Sequence, residues 1–174
     1  MVQIRERDLS AREIFYIAKT IADSSAGART QILVNDRADI AESVGAGVHL
    51  RADSLTVDVV RTAFGTDMLI GVSTHTPAEL AEAEKIGADF AVFGPVFETA
   101  SKKEYGEPVG IEALRKVTAH LTIPVLALGG VNLSNFCEVL DAGAAGIAGI
   151  SMFAEAQDLG HLVATIKSHG RPRC

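Results

Sequence analysis

Cysteine is nearly absent: the 174 residues contain two, Cys137 inside the chain and Cys174 at its last position. That excludes a disulfide framework and a cysteine-based metal site, and it points to a reducing, cytoplasmic compartment. Positive charge is also short, with 16 Lys and Arg against 22 Asp and Glu and a formal net charge of −6. No global positive field is available to gather a nucleic-acid backbone or an anionic membrane surface. Long apolar runs are missing too, since the longest, residues 142–154, is broken by glycines and Ser151 and falls short of the ~20 residues that span a bilayer. The opening Met1-Val2-Gln3-Ile4-Arg5-Glu6-Arg7 carries charge where a secretory peptide would carry its apolar stretch. What is present, 48% hydrophobic and 22% charged residues, suits one globular domain over residues 1–174.

Three places share one local pattern: Ser43-Val44-Gly45-Ala46-Gly47-Val48-His49-Leu50, Lys85-Ile86-Gly87-Ala88-Asp89-Phe90-Ala91-Val92-Phe93 and Asp141-Ala142-Gly143-Ala144-Ala145-Gly146-Ile147-Ala148-Gly149-Ile150. In each, a stretch of helical composition runs into a glycine suited to the left-handed residue after a helix, and a short apolar run follows. A helix is handing over to a buried strand. Repetition of that handover, with strands apolar on both faces, predicts parallel strands covered by helices, an α/β architecture.

Strands are predicted near residues 2–5, 31–35, 47–50, 69–73, 90–93, 125–128 and 147–150, and helices at 10–24, 37–44, 57–63, 77–86, 110–120, 133–142 and 158–169. Thr76-Pro77-Ala78-Glu79 supplies a cap followed by proline in the first turn. Seven short parallel strands, each followed by a helix, favour a TIM-type (βα)8 barrel lacking its first βα unit over an open doubly wound sheet. The one long connection, residues 97–109, is polar and follows a strand end, which marks it for function.

Ligands of such folds bind beyond the C-terminal ends of the strands. Those ends carry Gln3, Arg5 and Arg7; Asn35 and Asp36; Arg51 to Ser54; Ser73, Thr74 and His75; Glu98-Thr99-Ala100-Ser101-Lys102-Lys103; Gly129-Gly130; and Ile150-Ser151. Guanidinium and ammonium groups, hydroxyls and bare glycine backbones are what phosphate oxygens require, so the expected ligand is phosphorylated. Each element has a plainer reading. Gly129-Gly130 is also a turn, Asp36 a helix cap, Arg5 and Arg7 members of surface ion pairs, and His49 and His75 packed side chains. Only the joint placement at strand ends raises the site above its parts.

These residues resemble a known family, the thiamine phosphate synthase and TenI superfamily of (βα)8 barrels. The matching segments are Val2-Gln3-Ile4-Arg5-Glu6-Arg7, Val34-Asn35-Asp36-Arg37-Ala38-Asp39-Ile40-Ala41, Gly71-Val72-Ser73-Thr74-His75, Phe93-Gly94-Pro95-Val96-Phe97-Glu98-Thr99-Ala100-Ser101-Lys102, Leu128-Gly129-Gly130-Val131 and Ile150-Ser151, in the family's order up to about Phe153. The resemblance implies a transferase of thiamine biosynthesis. It would join an aminopyrimidine methyl diphosphate to a thiazole phosphate with loss of pyrophosphate. By position, Gln3 would contact the pyrimidine, while Arg5, Arg7, Asn35, Ser73 and Lys102 would hold the diphosphate. Because neutralising the leaving group is the main catalytic task, Arg5, Lys102 and Ser73 form the catalytic set. Thr99, Ser101, Gly129, Gly130, Ile150 and Ser151 would cradle the thiazole phosphate, and Asp36, with Asp53 swinging in, would bind Mg2+.

Three departures bear on that reading. Arg7 stands where the family usually has lysine, which keeps the charge and changes the hydrogen-bond geometry. In Leu50-Arg51-Ala52-Asp53-Ser54-Leu55, Ser54 takes the place of the aspartate that supplies the synthases' second magnesium ligand. That shift resembles the TenI branch, and a TenI-type thiazole phosphate tautomerase or non-catalytic thiazole or thiamine phosphate-binding protein is the alternative. TenI-type tautomerases, however, carry a histidine in the segment where this chain has Pro95. A third reading is a different phosphosugar-binding barrel enzyme. The family's opening strand and helix have no match before Met1, which would leave the edges of strands 2–5 and 147–150 open. Collapse of the gap, cover by another copy in a homo-oligomer, or a longer reading frame would each resolve this. The last is the expectation, because Gln3 and Arg5 need a rigid strand.

Overall fold

The first helix begins where Ser10 accepts the Glu13 amide on its hydroxyl while the Glu13 carboxylate reaches back to the Ser10 amide at 2.8 Å, a reciprocal cap. The computed structural model describes residues 1–99 and 107–169. Its elements alternate: β1 (Val2–Ile4), α1 (Ala11–Ser24), β2 (Ile32–Asn35), α2 (Ala38–Ser43), β3 (Gly47–Leu50), α3 (Val57–Phe64), β4 (Ile70–Thr74), α4 (Pro77–Lys85) and β5 (Phe90–Phe93). Then follow α5 (Gly110–Thr118), β6 (Val125–Leu128), α6 (Phe136–Asp141), β7 (Gly146–Ala148), α7 (Ser151–Ala154) and α8 (Leu159–His169). The strands are ordered as in the chain, and each registered pair is parallel. This is the TIM-type βα succession the handovers predict, and the glycine closing each of the three handovers is left-handed, at φ 66°, 85° and 94° for Gly45, Gly87 and Gly143.

By its contacts the chain groups into two compact units, one of Met1–Ser73 with Ala83–Asp89 and one of Thr74–Glu82 with Phe90–Cys174. The first buries Ile4, Ile32, Val34, Val48, Leu50 and Ile70 from its strands with Ile14, Ala18, Ile40 and Val60 from its helices. Within it, Asp89 Oδ2 accepts the Ile70 amide at 2.6 Å and is paired with Arg61 Nη2 at 2.7 Å, which ties the turn before β5 to the start of β4. The second unit packs Phe93, Val96, Leu114, Val125, Ala127 and Val139 into one cluster. Thr74, almost fully buried, donates its hydroxyl to the Val92 carbonyl at 3.2 Å.

Two boundaries depart from expectation for identifiable reasons. β7 ends at Ala148 rather than residue 150, because its ladder partner β6 ends at Leu128 and Gly129 turns away at φ 97°. Ile150 instead caps the N-terminus of α7, its carbonyl accepting the Phe153 and Ala154 amides. α6 begins at Phe136 rather than residue 133, because Asn132 and Asn135 hold the preceding turn with their side chains. The expectation of strands apolar on both faces also needs correction. Gln3, Asn35, His49 and Ser73 are polar residues on one face of the first unit's strands, as their register and hydrogen bonds show.

Asp89→Ala removes the acceptor of a partly buried amide and the partner of Arg61. Stability should fall by about 1–3 kcal/mol, read as a lower urea midpoint at unchanged slope, and an unchanged midpoint would show that the tie contributes nothing.

Candidate functional site

Strand alternation puts Gln3 and Leu33, then Asn35 and His49, at paired positions of the first unit. Gln3 Nε2 donates to Asn35 Oδ1 at 2.8 Å, and His49 Nε2 lies 3.3 Å from Ser73 Oγ. The side chains expected to meet a pyrimidine and a diphosphate are therefore held in two hydrogen-bonded couples at the C-terminal ends of β1 to β4. His49 is buried, as expected of a packed side chain, and its contact with Ser73 is a link that the sequence does not reveal. Arg5 and Arg7, just past β1, are exposed and make no ion pair among the described residues.

Asp36 is the one non-glycine residue with positive φ, 57°, among the described residues. Aspartate tolerates this conformation better than most side chains, and here it is held by the Asp36 amide donating to the His49 carbonyl at 3.0 Å. The carboxylate does not cap α2, whose N-cap Arg37 has no side-chain cap bond. It turns instead to residue 51: Oδ1 accepts the Arg51 amide at 2.9 Å, and Oδ2 is ion-paired with Arg51 Nε. The same Nε lies 3.4 Å from Asp53 Oδ1. The two carboxylates expected to bind a metal thus share one guanidinium. Arg37 is committed elsewhere, bonding Asp39 with Nε and Nη2 at 2.8 and 2.6 Å. That bond holds the Asp39 carboxyl below its usual range and the Arg37 guanidinium above its own.

In the second unit, Gly129 and Gly130 turn at φ 97° and 66° where other segments approach closely. A Cβ on Gly129 would lie 2.6 Å from Pro95 Cα, and one on Gly130 would lie 2.6 Å from the Glu98 carbonyl oxygen and from Phe97 Cβ. The Phe97 amide donates to the Gly129 carbonyl at 3.0 Å, and Asn135 Nδ2 donates to the Gly130 carbonyl at 3.0 Å. The double glycine is therefore both a tight turn and a bare backbone at the end of β6. His75 Nδ1 lies 2.6 Å from the Gly94 carbonyl oxygen, and Gly94-Pro95 is a cis peptide with Pro95 buried. Ile150, 73% exposed, precedes Ser151, the first residue of α7. Thr99 is half-buried, while Ser101 and Lys102 lie outside the described residues. Asn132 and Asn135 are the further residues sequence reasoning missed; the signal was an asparagine pair three apart just after a double glycine.

A succession of parallel strands each followed by a helix, with hydroxyl, amide, guanidinium and glycine residues just past the strand ends within each unit, defines the TIM-type βα class. The family model for thiamine monophosphate synthase matches residues 1–153. A candidate thiamine-phosphate synthase of Geobacter sulfurreducens is 47% identical over 151 residues, covering 86% of this chain and 71% of that protein. The thiamine-phosphate synthase of Clostridium novyi is 38% identical over 160 residues, covering 91% and 78%. Thiamine phosphate pyrophosphorylase from Pyrococcus furiosus superposes with a TM-score of 0.86 at 34% identity, covering 97% of this chain and 81% of that one. This chain belongs to the thiamine monophosphate synthase family.

Gly130→Ala adds a Cβ into two contacts at 2.6 Å on a left-handed backbone. The variant should lose about 2 kcal/mol, or roughly 4–8 °C in Tm; a thermal melt matching the parent's would mean that the Phe97–Glu98 segment moves aside freely.

Proposed function

We propose that this chain is a transferase that joins an aminopyrimidine methyl diphosphate to a thiazole phosphate, releasing pyrophosphate and forming thiamine phosphate. The observation that carries the reading is the pairing of Gln3 with Asn35 and of Ser73 with His49, in a chain whose family membership spans residues 1–153. Gln3 contacts the pyrimidine. Asn35, Ser73, Arg5, Arg7 and Lys102 take the diphosphate, while Thr99, Ser101, Gly129, Gly130, Ile150 and Ser151 take the thiazole phosphate.

The chemistry asks for charge and position more than for acid or base groups. When the C–O bond between the methylene and the diphosphate breaks, its electron pair leaves with the pyrophosphate oxygen and the aminopyrimidine stabilises the cation. The thiazole nitrogen then donates its lone pair to the methylene and becomes the thiazolium of the product. Arg5, Arg7 and Lys102 offset the negative charge gathering on the leaving group, and hydroxyl and amide donors fix its oxygens so that the rings meet in reacting geometry. A tautomerase reading finds less support, since the buried Pro95 has no proton to transfer.

Magnesium, which the family resemblance implies, needs several hard oxygen ligands in a near-octahedral shell. The residues present do not fit it. Both Asp36 oxygens are engaged by residue 51, Asp53 faces the same guanidinium, and Ser54 brings no charge. Among the described residues no group of three His, Cys, Asp or Glu could hold a metal ion. We place the enzyme in the cytoplasm, where phosphorylated precursors are retained; among the described residues no helix is long and apolar enough to cross a membrane.

Purified protein mixed with both phosphorylated precursors should yield thiamine phosphate, identified by mass. Lys102→Ala should lower kcat on the order of 10²-fold with an unaltered melting curve. Failure to form product, with thiazole phosphate still bound, would favour the TenI-type binding protein instead.

A further inference from the structure

Arg51 follows β3 directly, and three residues on, Ser54 stands where the resemblance described above implies an aspartate. In the structure Arg51 engages both oxygens of Asp36, its amide on Oδ1 and its Nε paired with Oδ2, and Asp53 Oδ1 lies 3.4 Å from the same Nε. Side-chain exposure is 19% for Asp36, 47% for Arg51 and 77% for Asp53, so the pair with Asp36 is the better shielded of the two. These contacts use the Nε edge of the guanidinium. Its two terminal nitrogens, with four N–H groups, have no acceptor among the described residues.

We propose that Arg51, fixed by Asp36 and steadied by Asp53, is a further cation that receives the diphosphate in this chain, in addition to Arg5 and Arg7, in the role a magnesium ion would fill. The inference rests on the transferase reading for its substrate and goes beyond it in assigning a catalytic residue and a metal-independent site. A guanidinium presents paired N–H donors that match two phosphate oxygens, and being more weakly hydrated than a metal ion it needs no inner shell stripped to engage them. Asp36 serves as the positioning residue: its left-handed backbone, held by the His49 carbonyl, aims the carboxylate at residue 51. Arg5 and Arg7, exposed and without ion pairs among the described residues, lie just past β1. As the C–O bond breaks, the electron pair passes to a pyrophosphate oxygen, and the N–H groups of Arg51 donate to it; no proton or electron is exchanged with the protein.

The test uses inorganic pyrophosphate as the probe, by calorimetry in excess EDTA, with Mn2+ binding followed by electron paramagnetic resonance. The parent protein should bind pyrophosphate without metal and show no Mn2+ binding that depends on Asp36. Arg51→Ala should weaken metal-free pyrophosphate binding at least tenfold, and Arg51→Lys, which keeps the charge and loses the fork, should recover part of it. The double variant Arg51→Ala, Ser54→Asp should acquire Mn2+ binding and a magnesium requirement for turnover, whereas the parent turns over equally in EDTA and in magnesium. Pyrophosphate binding by the parent only when magnesium is present, or metal-free binding unchanged in Arg51→Ala, overturns the proposal. Arg51-dependent, metal-free pyrophosphate binding in a protein that makes no thiamine phosphate sustains it and overturns the transferase reading alone.

Discussion

In a parallel ladder each strand reaches its C-terminal end beside the C-terminal ends of its neighbours, so every residue just past a strand in the first unit arrives at one level of the chain. Asn35 pairs with His49, Leu50 with Val72, and Arg51 and Ser73 follow directly. Alternation then divides each strand: Val34, Val48 and Ile70 go to the buried apolar side, while Asn35, His49 and Ser73 carry polar groups on the other. The arrangement costs little, because the buried polar atoms find partners; among the described residues no buried side-chain nitrogen or oxygen lacks one. The same direction of travel in the second unit delivers Gly129-Gly130 past β6 and Ser151 past β7.

Charge decides what those ends can bind. Asp36 is held in a left-handed conformation that most side chains avoid, and the partner it meets there is the amide and guanidinium of one residue. A carboxylate so engaged cannot also offer two free oxygens to a divalent ion, while the terminal nitrogens of the guanidinium keep their donors for a ligand. Arg37, one residue later, is taken by Asp39. Of the arginines near these strand ends, Arg5 and Arg7 keep their charge toward solvent. The distinction between committed and uncommitted guanidiniums does not follow from their number.

Much of the backbone plan was legible in the residues because it depends on local rules. A glycine closing a helix before an apolar run marked three of the strands, and Thr76-Pro77 marked the start of α4, where the Glu79 amide donates to Thr76 Oγ1 at 3.2 Å. Boundaries set by distant partners were not legible. β7 stops where β6 stops, and α6 starts late because Asn132 and Asn135 bind the turn ahead of it. Asp36 reads from the sequence as a helix cap or, by the resemblance, a metal ligand, and its φ of 57° with its contacts to Arg51 shows that it faces the end of the neighbouring strand.

The amino-acid sequence by itself determined the parallel βα succession, the family, and the set of polar residues at strand ends. Each of these follows from composition, from short-range conformational preference, or from motifs whose order the chain preserves. Tertiary structure alone decided which of those residues hold one another. Gln3 and Asn35 are 32 residues apart, Ser73 and His49 are 24 apart, and Asp36 is 15 from Arg51. Such pairings depend on register and on backbone direction after a strand, which separations along a chain do not encode. The same carboxylate can serve a helix, a metal or a guanidinium, and the neighbouring strand is what makes the choice.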